Sequence, residues 1–225
     1  MLAFRPLLIT LFACVGVFTL SRLGIVVWQY GRVAAAGSEH LPFIFAQGLR
    51  FDLLTIGVLL GIPALLTPLF IINRRLTDIW LPVLRAYCVL VIGLTVYIEV
   101  ATPSFINEFD AKPDRRFIEY LIYPKEVFSM LWAAYKLQLF IAATVVTGSM
   151  YVLHRVLGSA KPATAPLPLW SPLLLIPLVG LLLLAAIRST TDHRPVNPSS
   201  VVFATDALAN QLPLNSSYTT LYAIY

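Results

Sequence analysis

The stretch "GLRFDL" sets Arg50 and Asp52 two residues apart at the mouth of a long apolar run. A guanidinium and a carboxylate there are too costly to leave in lipid, so both are expected to face a bundle interior or a wet cavity. Glu99, near the end of another apolar run, carries the same expectation. Arg22 and Arg85 also fall inside apolar runs, where long stems let such side chains snorkel to the interface. Arg115 and Arg116 follow in a charged connection, with Lys125 a little beyond. The planar guanidinium fork matches phosphate oxygens. Arg50, Asp52, Glu99, Arg115, Arg116 and Lys125 are therefore the candidates for a site that binds a phospholipid head group on one side of the membrane. The same charges also suit an ion-pair network that binds nothing.

Other chemistry finds little support. The chain has no Walker loop and no HExxH pattern, and His40, His154 and His193 stand far apart without a partner at metal-ligand spacing. No nucleophile has an evident base, so no catalytic residue and no metal ligand is assigned. Cys14 and Cys88 both lie in apolar runs and read as small buried residues rather than as a disulfide or metal site.

The elements that must position these charges are apolar. The 225 residues are 59% hydrophobic and 12% charged, about half the charged share of a soluble domain. Runs near the roughly 20 residues that cross a bilayer recur, and helices are the expected spanning structure because lipid offers the backbone no hydrogen bonds. The fold class is thus all-α and polytopic. Five spans are expected at about Leu7–Trp28, Phe51–Ile72, Ile79–Val100, Val127–Leu153 and Leu169–Ile187. Pro63, Pro68, Pro82 and Pro177 fall inside them and are expected to kink or loosen those helices. The net charge of +5 fits anionic head groups better than nucleic acid.

Between the spans, "NRRLTD" reads as a short basic loop and "HRVLGSAKPATAPLP", with His154, Arg155 and Lys161, as a Pro- and Ala-rich one. The connection over residues 99–126 carries ten charged residues, among them six of the eleven acids. Within it Arg115 and Arg116 can each reach Glu119 on one helix face, while Phe117, Ile118, Leu121 and Ile122 gather on another. That predicts a short amphipathic helix in the membrane interface, closed by Pro124, which can open the next helix. Tyr120, Tyr123 and Trp132 suit an interfacial belt. The tail predicts a helix from near Pro198 to before Pro213 and a second from near Asn215. Asn215 also opens an "NSS" glycosylation pattern, but a helix cap at Asn215 or Ser216 is the better reading. The last helix shows no stop after the stripe Tyr218, Leu221, Tyr222 and Tyr225, so further chain is expected beyond it. A Lys/Arg count alone favours an external amino terminus.

Together "GLRFDL", "EFDAKPDRRFIEYLIYPKEVFSMLWAAYK" and "RPVNPSSVVFATDALANQLPLNSSYTTLYAIY" resemble the amino-terminal membrane half of bacterial lipoteichoic-acid-synthase-like proteins, phosphoglycerol transferases with a sulfatase-like domain of the alkaline phosphatase superfamily. The resemblance implies a five-helix transmembrane domain at 1–188, with an interfacial segment at about 101–126. A helical, extracytoplasmic linker at 189–225 then leads to a catalytic domain absent from this chain. It implies the bacterial cytoplasmic membrane, an internal amino terminus despite the Lys/Arg count, a phospholipid donor and a glycan or lipid acceptor. A divalent metal, typically manganese, is implied for the absent domain and no cofactor for this chain. On that reading the membrane half anchors the enzyme and presents the donor lipid of a phosphoglycerol or phosphoethanolamine transfer. The alternatives are a non-catalytic scaffold that binds a separate sulfatase-like chain, or a lipid transporter.

Overall fold

A computed structural model describes residues 2–120, 122–158, 168–191 and 193–224. Its elements are α1 (Arg5–Trp28), α2 (Tyr30–Ala36), α3 (Leu41–Phe70), α4 (Arg74–Phe109), α5 (Arg115–Tyr120), α6 (Pro124–Ala134), α7 (Lys136–Gly158), α8 (Ser171–Arg188), α9 (Ala207–Gln211) and α10 (Ser216–Tyr222), with short 3₁₀ turns at Leu2–Phe4, Ser38–His40 and Pro198–Val201. Among the described residues there is no strand. Five helices are long and apolar enough to cross a membrane: α1, α3 with its leading turn, α4, α7 and α8.

α1, α3 and α4 form the centre. Cys14 and Phe18 of α1, Ile56 and Leu60 of α3, and Leu84, Cys88, Val91 and Val96 of α4 build one buried apolar cluster. α8 lies along α3 over two glycines one turn apart. A Cβ on Gly57 would meet Ile187 at 3.1 Å and one on Gly61 would meet Leu183 at 3.7 Å. Small residues at this spacing let two helices approach closely, which matters where lipid supplies no hydrophobic drive between them. α7 leans on α4 in the same way, with the Met150 thioether across Gly93.

The interior prolines leave α3, α4 and α8 unbroken. Pro63 has no N–H to give the Leu59 carbonyl one turn earlier, and the Tyr87 hydroxyl of α4 donates to that carbonyl instead, at 2.6 Å. Such rescue by a neighbouring helix is what makes proline tolerable in a span.

The helices differ from expectation mainly at their ends. α3 begins at Leu41 and α4 runs from Arg74 to Phe109, so most of "NRRLTD" and the first part of the charged connection are helical. The Asn73 side chain accepts from the Arg75 N–H at 2.9 Å and starts α4 before the basic pair. Asp110 ends it in the left-handed region at φ 50°, a conformation aspartate tolerates. At 36 residues α4 is about 54 Å long, well beyond a hydrocarbon core of about 30 Å.

The expected fourth span is two helices, with Tyr135 outside both. His154 and Arg155, expected in a loop, extend α7. The expected helix from Pro198 to before Pro213 is instead a 3₁₀ turn, an extended stretch and the short α9, because Asn210 turns the chain back. Its Oδ1 accepts from the Phe203 and Ala204 N–H groups at 2.9 Å, and its Nδ2 donates to the Ala204 carbonyl at 2.7 Å. The short amphipathic helix is present as α5, and Pro124 opens α6. Leu121, Lys161 with the rest of 159–167, and Tyr225 lie outside the described residues.

Candidate functional site

α1 and α4 end, and α3 begins, at the same end of the bundle, and the carboxy-terminal segment is seated there. Its apolar residues dock on two pads. Leu208 and Leu212 join Ile25, Val33, Ile44 and Ile106. Val196, Val201, Leu214 and Tyr218 join Phe51 and Leu54, with the Tyr218 ring edge-on to Phe51 at 4.7 Å.

Between the pads lies a sealed polar network. Asp52 is fully buried and Arg22 is 2% exposed. They form a bidentate pair, Nη1 to Oδ2 at 3.0 Å and Nη2 to Oδ1 at 2.7 Å. Two further guanidinium donors, on Nε and Nη2, go to the Leu212 and Pro213 carbonyls at 3.2 and 3.3 Å. Asn215 Nδ2 donates to Asp52 Oδ1 at 3.1 Å, while its Oδ1 caps α10 by accepting from the Tyr218 N–H at 2.7 Å. Asn215 is thus the helix cap that its residue type suggested.

Glu99 is the second buried carboxylate. It accepts from the Ser216 N–H at 2.7 Å, the Ser216 hydroxyl at 3.1 Å and the Ser21 hydroxyl at 2.6 Å. The first N–H groups of a helix have no partner within it, so Glu99 satisfies a donor that α10 would otherwise bury empty. Thr102 donates to Ser216 Oγ at 2.8 Å. Lys112, on the turn after α4, buries its side chain and donates from Nζ to the Leu214 carbonyl, while its own N–H donates to Gln211 Oε1 at 2.7 Å. Burial pushes the Lys112 ammonium down to about 8, against the pull of Glu99. Two cations and two carboxylates make the cluster neutral overall, and each has hydrogen-bond partners, which is the condition for burying charge at tolerable cost.

Close approach of α1 and α3 is part of this site. A Cβ on Gly48 would overlap the Arg22 guanidinium, so only glycine leaves that group room to reach Asp52.

The candidate head-group residues therefore separate. Asp52 and Glu99 enter the sealed network. Arg50 sits beside it and turns to α8, donating from Nε to the Ser189 carbonyl at 2.6 Å and to Gln47 Oε1 from Nη1 at 3.2 Å. The partner of Asp52 is not its near neighbour Arg50 but Arg22, which is buried rather than snorkelling. Arg115 pairs with Glu119 at 3.0 Å on the surface. Arg116 pairs with Asp114 at 2.7 Å instead of Glu119, and lies 4.4 Å from the Phe109 ring centroid. The Arg116 guanidinium holds the Asp114 carboxyl below the usual carboxylate range. Lys125 is exposed in the first turn of α6. A further surface tie joins Arg32 of α2 to Asp110 and, at 2.7 Å, to Asp206.

Sequence reasoning named Arg22 only as a side chain able to snorkel and left both Arg22 and Lys112 out of the candidate site. Arg22 carried a signal, since Cys14, Phe18, Arg22 and Ile25 recur at helical spacing and all four are buried. Lys112 carried none. Among the described residues no three His, Cys, Asp or Glu side chains gather to hold a metal ion. No family model matches the chain, and no solved structure matches it.

Proposed function

We propose that this chain is the membrane domain of a phospholipid-dependent phosphoglycerol or phosphoethanolamine transferase of the bacterial cytoplasmic membrane. In this reading it anchors a sulfatase-like catalytic domain outside the cell and holds it at a fixed height and angle over the donor lipids. The observation that carries the reading is the seating of the carboxy-terminal segment: Leu212–Ser216 is bound through Arg22, Asp52, Glu99 and Lys112. The three sequence stretches that resemble the transferases meet there, contributing Gly48 and Asp52, Lys112, and Leu212–Tyr218. A segment so fixed passes its orientation on to any chain that continues it without a flexible linker. Arg115, Arg116 and Lys125 remain on the surface as the head-group contacts. The divalent metal that the resemblance implies belongs to the catalytic domain.

The test is to express the complete coding sequence and supply head-group-labelled phosphatidylglycerol and phosphatidylethanolamine in liposomes. Manganese-dependent transfer of the labelled phosphoglycerol or phosphoethanolamine group to an acceptor hydroxyl or to water, leaving diacylglycerol, is expected, with R115A/R116A raising KM for the lipid. A coding sequence that ends at Tyr225, with no sulfatase-like chain co-purifying, overturns the proposal. A non-catalytic scaffold is the second reading. It is favoured by one observation, that every charge of the buried network is satisfied within the chain.

A further inference from the structure

α6 belongs neither to the spanning bundle nor to the seated segment. None of its side chains is buried, and Phe128, Met130 and Trp132 are 59%, 51% and 46% exposed. Such exposure of large apolar groups needs a partner.

Two features define that partner. The first is the pattern around the helix. At 100° per residue, Lys125, Glu126, Ser129 and Ala133 fall within a sector of about 100°. Val127, Phe128, Met130, Leu131, Trp132 and Ala134 occupy the rest. A helix buried in a protein or spanning a bilayer has no use for a charged sector, and one in water has no use for the wide apolar one. A helix lying along a membrane–water boundary uses both.

The second is the bend. Tyr135 leaves the helical region at φ −129° and ψ 35°. In an unbroken helix Trp132 and Phe140 would stand about 12 Å apart along the axis. Their ring centroids are 6.0 Å apart, so the chain bends at Tyr135 and brings the Trp132 side of α6 towards the start of α7. Lys136 Nζ lies over the Trp132 ring at 6.0 Å, where the span α7 begins. Phe140 is itself 61% exposed on α7, so the apolar sector of α6 is continuous with a face that meets acyl chains if α7 spans. A second protein docked on α6 would have to displace lipid from both.

We propose that α6 lies in the plane of the membrane interface. Phe128, Met130, Leu131 and Trp132 sit at the level where head groups meet acyl chains, and Lys125, Glu126 and Ser129 face the head groups. The inference rests on the membrane reading of the five spans and not on the transferase reading.

Trp132 supplies the readout. The full chain with W28F, W80F and W170F, in phosphatidylcholine–phosphatidylglycerol liposomes, is titrated with lipids brominated at shallow or deep acyl positions. Shallow bromines are expected to quench Trp132 severalfold more than deep ones. A companion variant retaining Trp80 alone reports whether the bundle itself is inserted. In the native tryptophan background, Ser129→Cys should react with a water-soluble maleimide at least about tenfold faster than Leu131→Cys. Three results overturn the proposal. One is Trp132 insensitive to all bromolipids while Trp80 is quenched. Another is strongest quenching from deep positions. The third is equal labelling of both cysteines, whether fast, as in water, or slow with cross-linking between copies.

Discussion

Asp52→Asn probes the buried pair with little change of shape. In the protein Asp52 takes three hydrogen bonds, two from Arg22 at 3.0 and 2.7 Å and one from Asn215 at 3.1 Å. An asparagine oxygen at the Oδ1 position keeps the Arg22 Nη2 and Asn215 bonds. Its NH₂ then meets Arg22 Nη1, donor against donor, and the guanidinium is left buried without a counter-charge. Removing one partner of a buried pair costs about 3–5 kcal/mol, roughly 150- to 5,000-fold in the folding equilibrium. The double variant R22M/D52N removes the orphan charge but leaves the Leu212 and Pro213 carbonyls short of donors, a cost of about 1–3 kcal/mol. It should therefore be more stable than D52N alone. Reversible unfolding in mixed micelles of rising dodecyl sulfate measures both, and hydrogen exchange over residues 208–222 reports the seating. A loss below about 1 kcal/mol for D52N, the value of an exposed pair, refutes the reasoning. So does a double variant as unstable as the sum of the two singles.

Gly48→Ala should lower stability by about 1–3 kcal/mol, since its Cβ displaces the Arg22 guanidinium; Gly16→Ala, where a Cβ meets nothing within 4 Å, should cost nothing in the same melting assay. Lys112 makes seating depend on pH. Its ammonium is near 8 when buried and 10.5 when free, so the released segment binds more protons between these values. Seating therefore strengthens as pH rises from about 8 towards 10.5 and is weakest below 8, and the melting difference between wild type and Lys112→Met should follow that course. Asp206→Ala should cost about 1 kcal/mol, because its carboxylate caps α9 through the Ala209 N–H at 2.8 Å. Asp206→Asn keeps the cap and loses only the salt-sensitive tie to Arg32, so its melting point should stay near wild type at high salt.

Residue type and spacing alone made legible the five helices long and apolar enough to cross a membrane, since an apolar run of that length has no other stable conformation in a bilayer. The same local chemistry exposed the Asn215 cap and Pro124 at the start of α6, because a cap or a first-turn proline acts within a few residues. Two of the expectations that failed did so for want of visible partners. Tyr135 gives no turn signal, and the bend there shows only in its backbone angles and the Trp132–Phe140 contact. Residues 198–212 have a helical composition, yet Asn210 folds them into a compact turn against α2.

The charged site shows the division most plainly. That Asp52 and Glu99 must find partners followed from their being charged within apolar segments. Which partners they found did not, for Asp52 lies 30 residues from Arg22 and Glu99 lies 117 from Ser216. Sequence spacing sets which residues share a helix face. The pairing of charges across helices is decided by how closely backbones approach, here through Gly48, and by the returning chain that closes over them.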